Sequence, residues 1–104
     1  ASGPLFITFD PARREEALAA AARLREGGCP VEVEVSRRDE VAQRGYARQR
    51  RVRLWARFLA GERGMVRVEP LDDEAGSRVK PVAEWVAEVL RAREEGVTAG
   101  GRAR

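Results

Sequence analysis

The sequence predicts an α/β fold: a three-layer domain with a mixed sheet between helices, in the element order β-α-β-α-β-β-α. Three observations predict it. Val31, Val33 and Val35 alternate with Glu32 and Glu34, the pattern of a strand with one dry and one wet face. Val82, Trp85, Val86, Val89 and Leu90 recur at the spacing of an amphipathic helix. Strand and helix patterns also alternate through the first half of the chain. That order requires helical crossovers between parallel strands, which are right-handed.

Each element has its own justification. Leu5, Phe6, Ile7 and Phe9 form an apolar run, read as a buried strand that stops at Asp10-Pro11. Asp is a good N-cap, and Pro suits the first helical position because its missing N–H would have no partner there. The first helix then runs to about Arg25, with Ala17, Leu18, Ala21 and Leu24 facing the sheet, and Gly27-Gly28 closes it. After the Val/Glu strand, Ser36 reads as the N-cap of a second helix over Arg37 to about Gln49. Asp39 and Glu40 lie in its first turn, and Val41, Ala42 and Tyr46 form its inner face. Gly45 weakens that helix by about 1 kcal/mol relative to Ala. The third strand spans roughly Val52 to Leu59, and residues 60–64 read as a hairpin loop. Met65 to Glu69 is the fourth strand, Leu71 to Gly76 an acidic loop, and the third helix begins near Lys80-Pro81 and reaches about Arg93. Whether the first and third helices share one face of the sheet, with the second on the other, is open at this level.

A chain of 104 residues is expected to form one domain, here 1–95, with a flexible tail over 96–104 where three Gly interrupt any periodicity. There is no run of apolar residues long enough for a membrane span, and no secretory signal pattern, so no membrane association is expected. The single cysteine, Cys29, has no internal disulfide partner, and the cytoplasm is the natural compartment. With no histidine, His-dependent nucleophile systems are excluded and zinc is disfavoured. No phosphate-cradling glycine loop follows any strand. These absences lead to an expected non-enzyme, with no metal and no cofactor.

Charge supplies the functional clue. The window from Arg37 to Arg57 holds eight arginines against Asp39 and Glu40, a net charge of +6, whereas the whole chain carries +3. A local basic field on a near-neutral domain points to a polyanionic partner. The candidate nucleic-acid-binding residues are Arg37, Arg38, Arg44, Arg48, Arg50, Arg51, Arg53, Trp55 and Arg57. Guanidinium groups bind phosphate in a planar fork and also stack on bases. Unbroken alternation puts Arg53, Trp55 and Arg57 on one face of the third strand, a basic–aromatic–basic platform for single strands. The competing assignment for Trp55 is packing under a helix, with arginine stems alongside. A solvated basic face without a ligand is the competing assignment for the whole window.

The order of elements and several short motifs resemble the C-terminal anticodon-binding domain of class II aminoacyl-tRNA synthetases, the histidyl-tRNA synthetase type in particular. The carriers are Leu24-Arg25-Glu26-Gly27-Gly28 at the first helix end, Val31 to Val35, and Gln43 ahead of Tyr46-Ala47. Gly61-Glu62 at the end of the third strand and Gly64-Met65-Val66-Arg67-Val68 complete the set. Arg63-Gly64 stands where the family has a second acidic residue, and nothing corresponds to the class II catalytic core. The resemblance implies a noncatalytic domain that binds tRNA. It equally admits the histidyl-tRNA synthetase paralogue that serves as the regulatory subunit of ATP phosphoribosyltransferase, in which case the partner is a protein.

Overall fold

The structure is a computed structural model that describes residues 3–36, 39–71 and 73–103; for residue 74 and residues 96–103 the description covers the backbone alone. Among the described residues five strands and three helices follow one another as β1 (Leu5–Phe9), α1 (Arg14–Glu26), β2 (Val31–Val35), α2 (Glu40–Gln49), β3 (Leu54–Phe58), β4 (Met65–Pro70), β5 (Arg78–Pro81) and α3 (Val82–Ala103). Short 3₁₀ turns at Pro11–Arg13 and Glu74–Gly76 lead into α1 and β5.

The strands form one mixed sheet in the order β2-β1-β3-β4-β5. β1 is parallel to both β2 and β3, as the two crossovers require. β3-β4 and β4-β5 are antiparallel. Inward residues of α1 and α3 (Ala17, Ala21, Leu24, Trp85, Val86) pack on Leu5, Ile7, Phe9, Ala56, Val66 and Val68. On the other face Ala47 and Tyr46 of α2 pack on Phe6, Val52 and Trp55. The sheet is therefore the middle of three layers, with α1 and α3 on one side and α2 on the other.

Local chemistry explains most boundaries. Asp10 accepts the Ala12 N–H at 2.9 Å, and Pro11 opens the turn that becomes α1. Gly28, at φ +87°, supplies the left-handed step that ends this helix and turns the chain into β2. On α1, Ala20 is buried and Leu18 is exposed, which corrects the expected inner face: Leu18 sits one residue, and so about 100°, past the buried Ala17.

The second helix departs further from expectation. Its N-cap is Asp39, whose carboxylate accepts the Ala42 N–H at 2.8 Å, and not Ser36, whose N–H donates to the Phe9 carbonyl at 2.8 Å as β2 ends. This three-residue shift rotates the buried face onto Gln43 and Ala47, while Val41 is 81% exposed and Ala42 is exposed as well. The fifth strand was not expected at all. Lys80-Pro81 reads locally as a helix start, yet both residues pair with β4, at Val66 and Met65, and the helix begins at Val82. Pro81 is tolerated there because β5 is an edge strand. α3 continues past Arg93 to Ala103; the expectation of a flexible tail concerns residues whose side chains lie outside those described.

Candidate nucleic-acid interface

The α2 face of the sheet is organised around Trp55. The indole is fully buried, 0% exposed, with Nε1–H donating to Thr8 Oγ1 at 3.0 Å. Phe6 lies stacked beside it at 6.4 Å between ring centroids, and Tyr46 of α2 tilts over Phe6 at 5.5 Å. Two guanidinium groups are placed over the indole, Arg57 at 4.6 Å and Arg44 at 5.2 Å from its centroid. The open basic–aromatic–basic platform is therefore not formed. Trp55 takes the competing assignment, packed under a helix with arginines alongside, because burying so large an aromatic surface outweighs leaving it wet for a ligand.

Carboxylates occupy part of the basic window. Arg44 pairs with Glu69, a buried residue of β4, and reaches Glu40 at 3.2 Å. Arg57 contacts the other oxygen of Glu40 at 2.7 Å. Arg50 pairs with Glu32 of β2 at 2.9 Å and lies 6.0 Å from the centroid of the Tyr46 ring. Arg57, through charge and then a hydrogen bond, with a further hydrogen bond from Arg44, holds the Glu40 carboxyl below its ordinary pKa. Arg44, Arg50 and Arg57 are thus paired with carboxylates, so at these three positions the basic field of the window is locally neutralised. Glu32 and Glu69 lie outside the basic window, whereas Glu40 lies within it and serves both Arg44 and Arg57, an arrangement that only the packing of α2 on the sheet sets.

Arg48, Arg51 and Arg53 are exposed where α2 turns into β3. Among the described residues, Arg51 and Arg53 form no ion pair. The turn is tight. Val52 N–H bonds back to the Ala47 carbonyl and Arg51 N–H to that of Arg48, while Arg51 takes the left-handed conformation at φ 56°. Arg53 N–H then bonds to the Pro4 carbonyl at 3.0 Å, which fixes this rim against the start of β1. Arg37 and Arg38 lie outside the described residues.

Arg67 escaped the sequence reading. It stands directly opposite Arg57 in the β3–β4 ladder and pairs with Glu62 of the hairpin through two hydrogen bonds, at 2.8 and 3.1 Å. The signal was present in the hairpin, since a loop symmetric about Glu62 sets residue 57 against residue 67. Among the described residues no group of His, Cys, Asp and Glu could hold a metal ion, and no helix is long and apolar enough to cross a membrane.

No protein-family model matches the chain, and a search of curated sequences returns no match. Solved structures do match it. Histidyl-tRNA synthetase from Nostoc sp. PCC 7120 superposes on 88% of this chain with a TM-score of 0.73 at 16% identity. The RNA-binding domain of threonyl-tRNA synthetase from Cryptosporidium parvum Iowa II does so over 88% with 0.74 at 9% identity. Prolyl-tRNA synthetase from Cryptosporidium parvum, complexed with L-proline and AMP, does so over 91% with 0.74 at 16% identity. The chain spans 23%, 24% and 21% of those chains. The fold is accordingly that of the anticodon-binding domains of class II tRNA synthetases, and at these identities the likeness is one of fold.

Proposed function

We propose that this chain is a noncatalytic, anticodon-binding-like domain that binds RNA, with tRNA as the natural substrate class. The observation that carries the reading is the exposed rim of Arg48, Arg51 and Arg53 at the end of α2, on a fold shared with an RNA-binding domain. One fold hosts many functions, so function resides in this site and not in the fold. Arg51 is the informative member. A non-glycine residue in the left-handed region costs about 1–2 kcal/mol, and glycine would relieve it. Keeping arginine at such a point, where no carboxylate neutralises it among the described residues, fits a role for its charge.

The test is a titration with unfractionated tRNA at two salt concentrations, using the wild type and the double variant Arg51→Asn, Arg53→Gln. Asn tolerates the left-handed conformation, so the turn is preserved. Phosphate contacts release counterions, so wild-type affinity falls steeply with salt and the variant's log–log slope is shallower by about two. No binding at low salt refutes the reading.

A second reading, a regulatory protein-interaction module like the ATP phosphoribosyltransferase regulatory subunit, has one observation in its favour. A shallow groove of about 300 Å³ between β5 and α3 is lined largely by apolar groups, including Leu54, Val68, Pro70, Trp85 and Val89. Under that reading the protein binds no tRNA and co-purifies with a stable protein partner.

A further inference from the structure

Among the described residues, the β4–β5 side of the sheet face under α2 is partly exposed. One row crosses it in register: Glu34 of β2, Thr8 of β1, Arg57 of β3, Arg67 of β4 and Val79 of β5. α2 packs over the Phe6 and Trp55 side. At the other end of the row, Arg67 has its side chain 40% exposed and Val79 is 43% exposed.

Two like charges placed directly opposite on neighbouring strands repel and destabilise the pair. Each of these arginines is instead answered by a carboxylate from outside the β3–β4 ladder. Glu40, at the start of α2, serves Arg57, and Glu62, in the hairpin loop, serves Arg67. Neither guanidinium is saturated. Glu40 engages Nη2 of Arg57, and Glu62 engages Nε and Nη2 of Arg67, so Nε and Nη1 of Arg57 and Nη1 of Arg67 have no hydrogen-bond partner among the described residues. Both pairs are only partly exposed: the Arg57 side chain is 17% accessible with Glu40 at 55%, and Arg67 is 40% accessible with Glu62 at 26%. Pairs that reach water contribute about 0–1 kcal/mol and exchange with another anion, and Arg67 is the more accessible arginine.

We infer that the Arg57–Arg67 pair is a phosphodiester-binding locus for single-stranded RNA, at which Glu40 and Glu62 stand in for phosphate until RNA displaces them. The inference rests on the RNA-binding reading and extends it. From Arg53 at the rim to Arg57 the extended chain advances about 13 Å, short enough for one oligonucleotide to reach both. Val79, apolar and exposed beside Arg67, offers a surface against which a ribose or base packs.

The experiment titrates a short single-stranded RNA of mixed sequence, at two salt concentrations, into the wild type, Arg67→Gln, Glu62→Gln and Glu15→Gln, with circular dichroism as the fold control. Arg67→Gln is expected to weaken binding and make the salt slope shallower by about one. Glu62→Gln is expected to tighten binding, because it frees Arg67 from its internal competitor. It should do so by more than Glu15→Gln, which removes an exposed carboxylate on α1 and raises the net charge equally. Equal gains would report the charge change alone and overturn the competitor role of Glu62. Polyglutamate serves as a competitor, and displacement of RNA by it at equal charge concentration overturns the assignment of RNA as occupant. If the wild type binds and the Arg51→Asn, Arg53→Gln variant weakens while Arg67→Gln and Glu62→Gln both match the wild type, this locus is refuted and the rim stands. If the wild type does not bind, both fall together.

Discussion

Glu40, the first residue of α2, reaches across to Arg57 of β3 and holds its Nη2 at 2.7 Å. This contact joins the helix to the sheet near the point where Arg44, also on α2, bridges Glu40 and Glu69. Arginines that look like a ligand-binding stripe in the sequence thus also fasten a helix in the folded protein.

The pH dependence of that fastening has a definite sign. Glu40 is held below its ordinary pKa of 4.5 in the folded state, chiefly by Arg57. Its contribution is fully present above the unfolded value and is lost as pH falls through the lowered folded value. Because Glu40 is largely exposed, screening limits the contribution to under about 1 kcal/mol. Urea midpoints of the wild type and Glu40→Gln should differ at pH 7 and converge on acidification below pH 4.5. A gap that persists in acid contradicts the ion-pair account.

Thr8 and Trp55 make a buried side-chain hydrogen bond of 3.0 Å across the β1–β3 ladder. Thr8→Val keeps the shape and strands the indole N–H, at a cost of about 1–3 kcal/mol. Combining it with Trp55→Phe should show non-additivity in urea unfolding, because the second change removes the stranded donor. Strict additivity would mean the bond contributes nothing.

Gln43 presents the opposite situation. It is 5% exposed, and its Nε2 has no hydrogen-bond partner among the described residues. Gln43→Met, similar in length and without the polar amide, should stabilise the domain by about 1 kcal/mol, read as a higher urea midpoint at unchanged m-value. A lower midpoint would show that the amide is satisfied in solution.

Arg51 occupies the left-handed region at φ 56°. Arg51→Gly should raise stability by about 1 kcal/mol, while Arg51→Val, β-branched and ill-suited to that region, should lower it. Differential scanning calorimetry of the pair decides it; equal melting temperatures would rule out strain at this turn.

The sequence by itself determined the alternation of strands and helices, the parallel core of the sheet and the hairpin. Those features rest on periods of two and 3.6 residues and on turn residues, all of which act within a few positions. The Val/Glu alternation of β2 and the apolar stripe at the start of α3 are examples. Tertiary structure alone decided β5, a four-residue edge strand defined by its pairing with β4 and not by its own composition. It also decided the fate of the basic window. Trp55 bonds to a residue 47 positions away, and Arg44 pairs with one 25 positions away. Such partners are chosen by which strands become neighbours, so whether an arginine meets a carboxylate or faces solvent is settled only when the sheet closes.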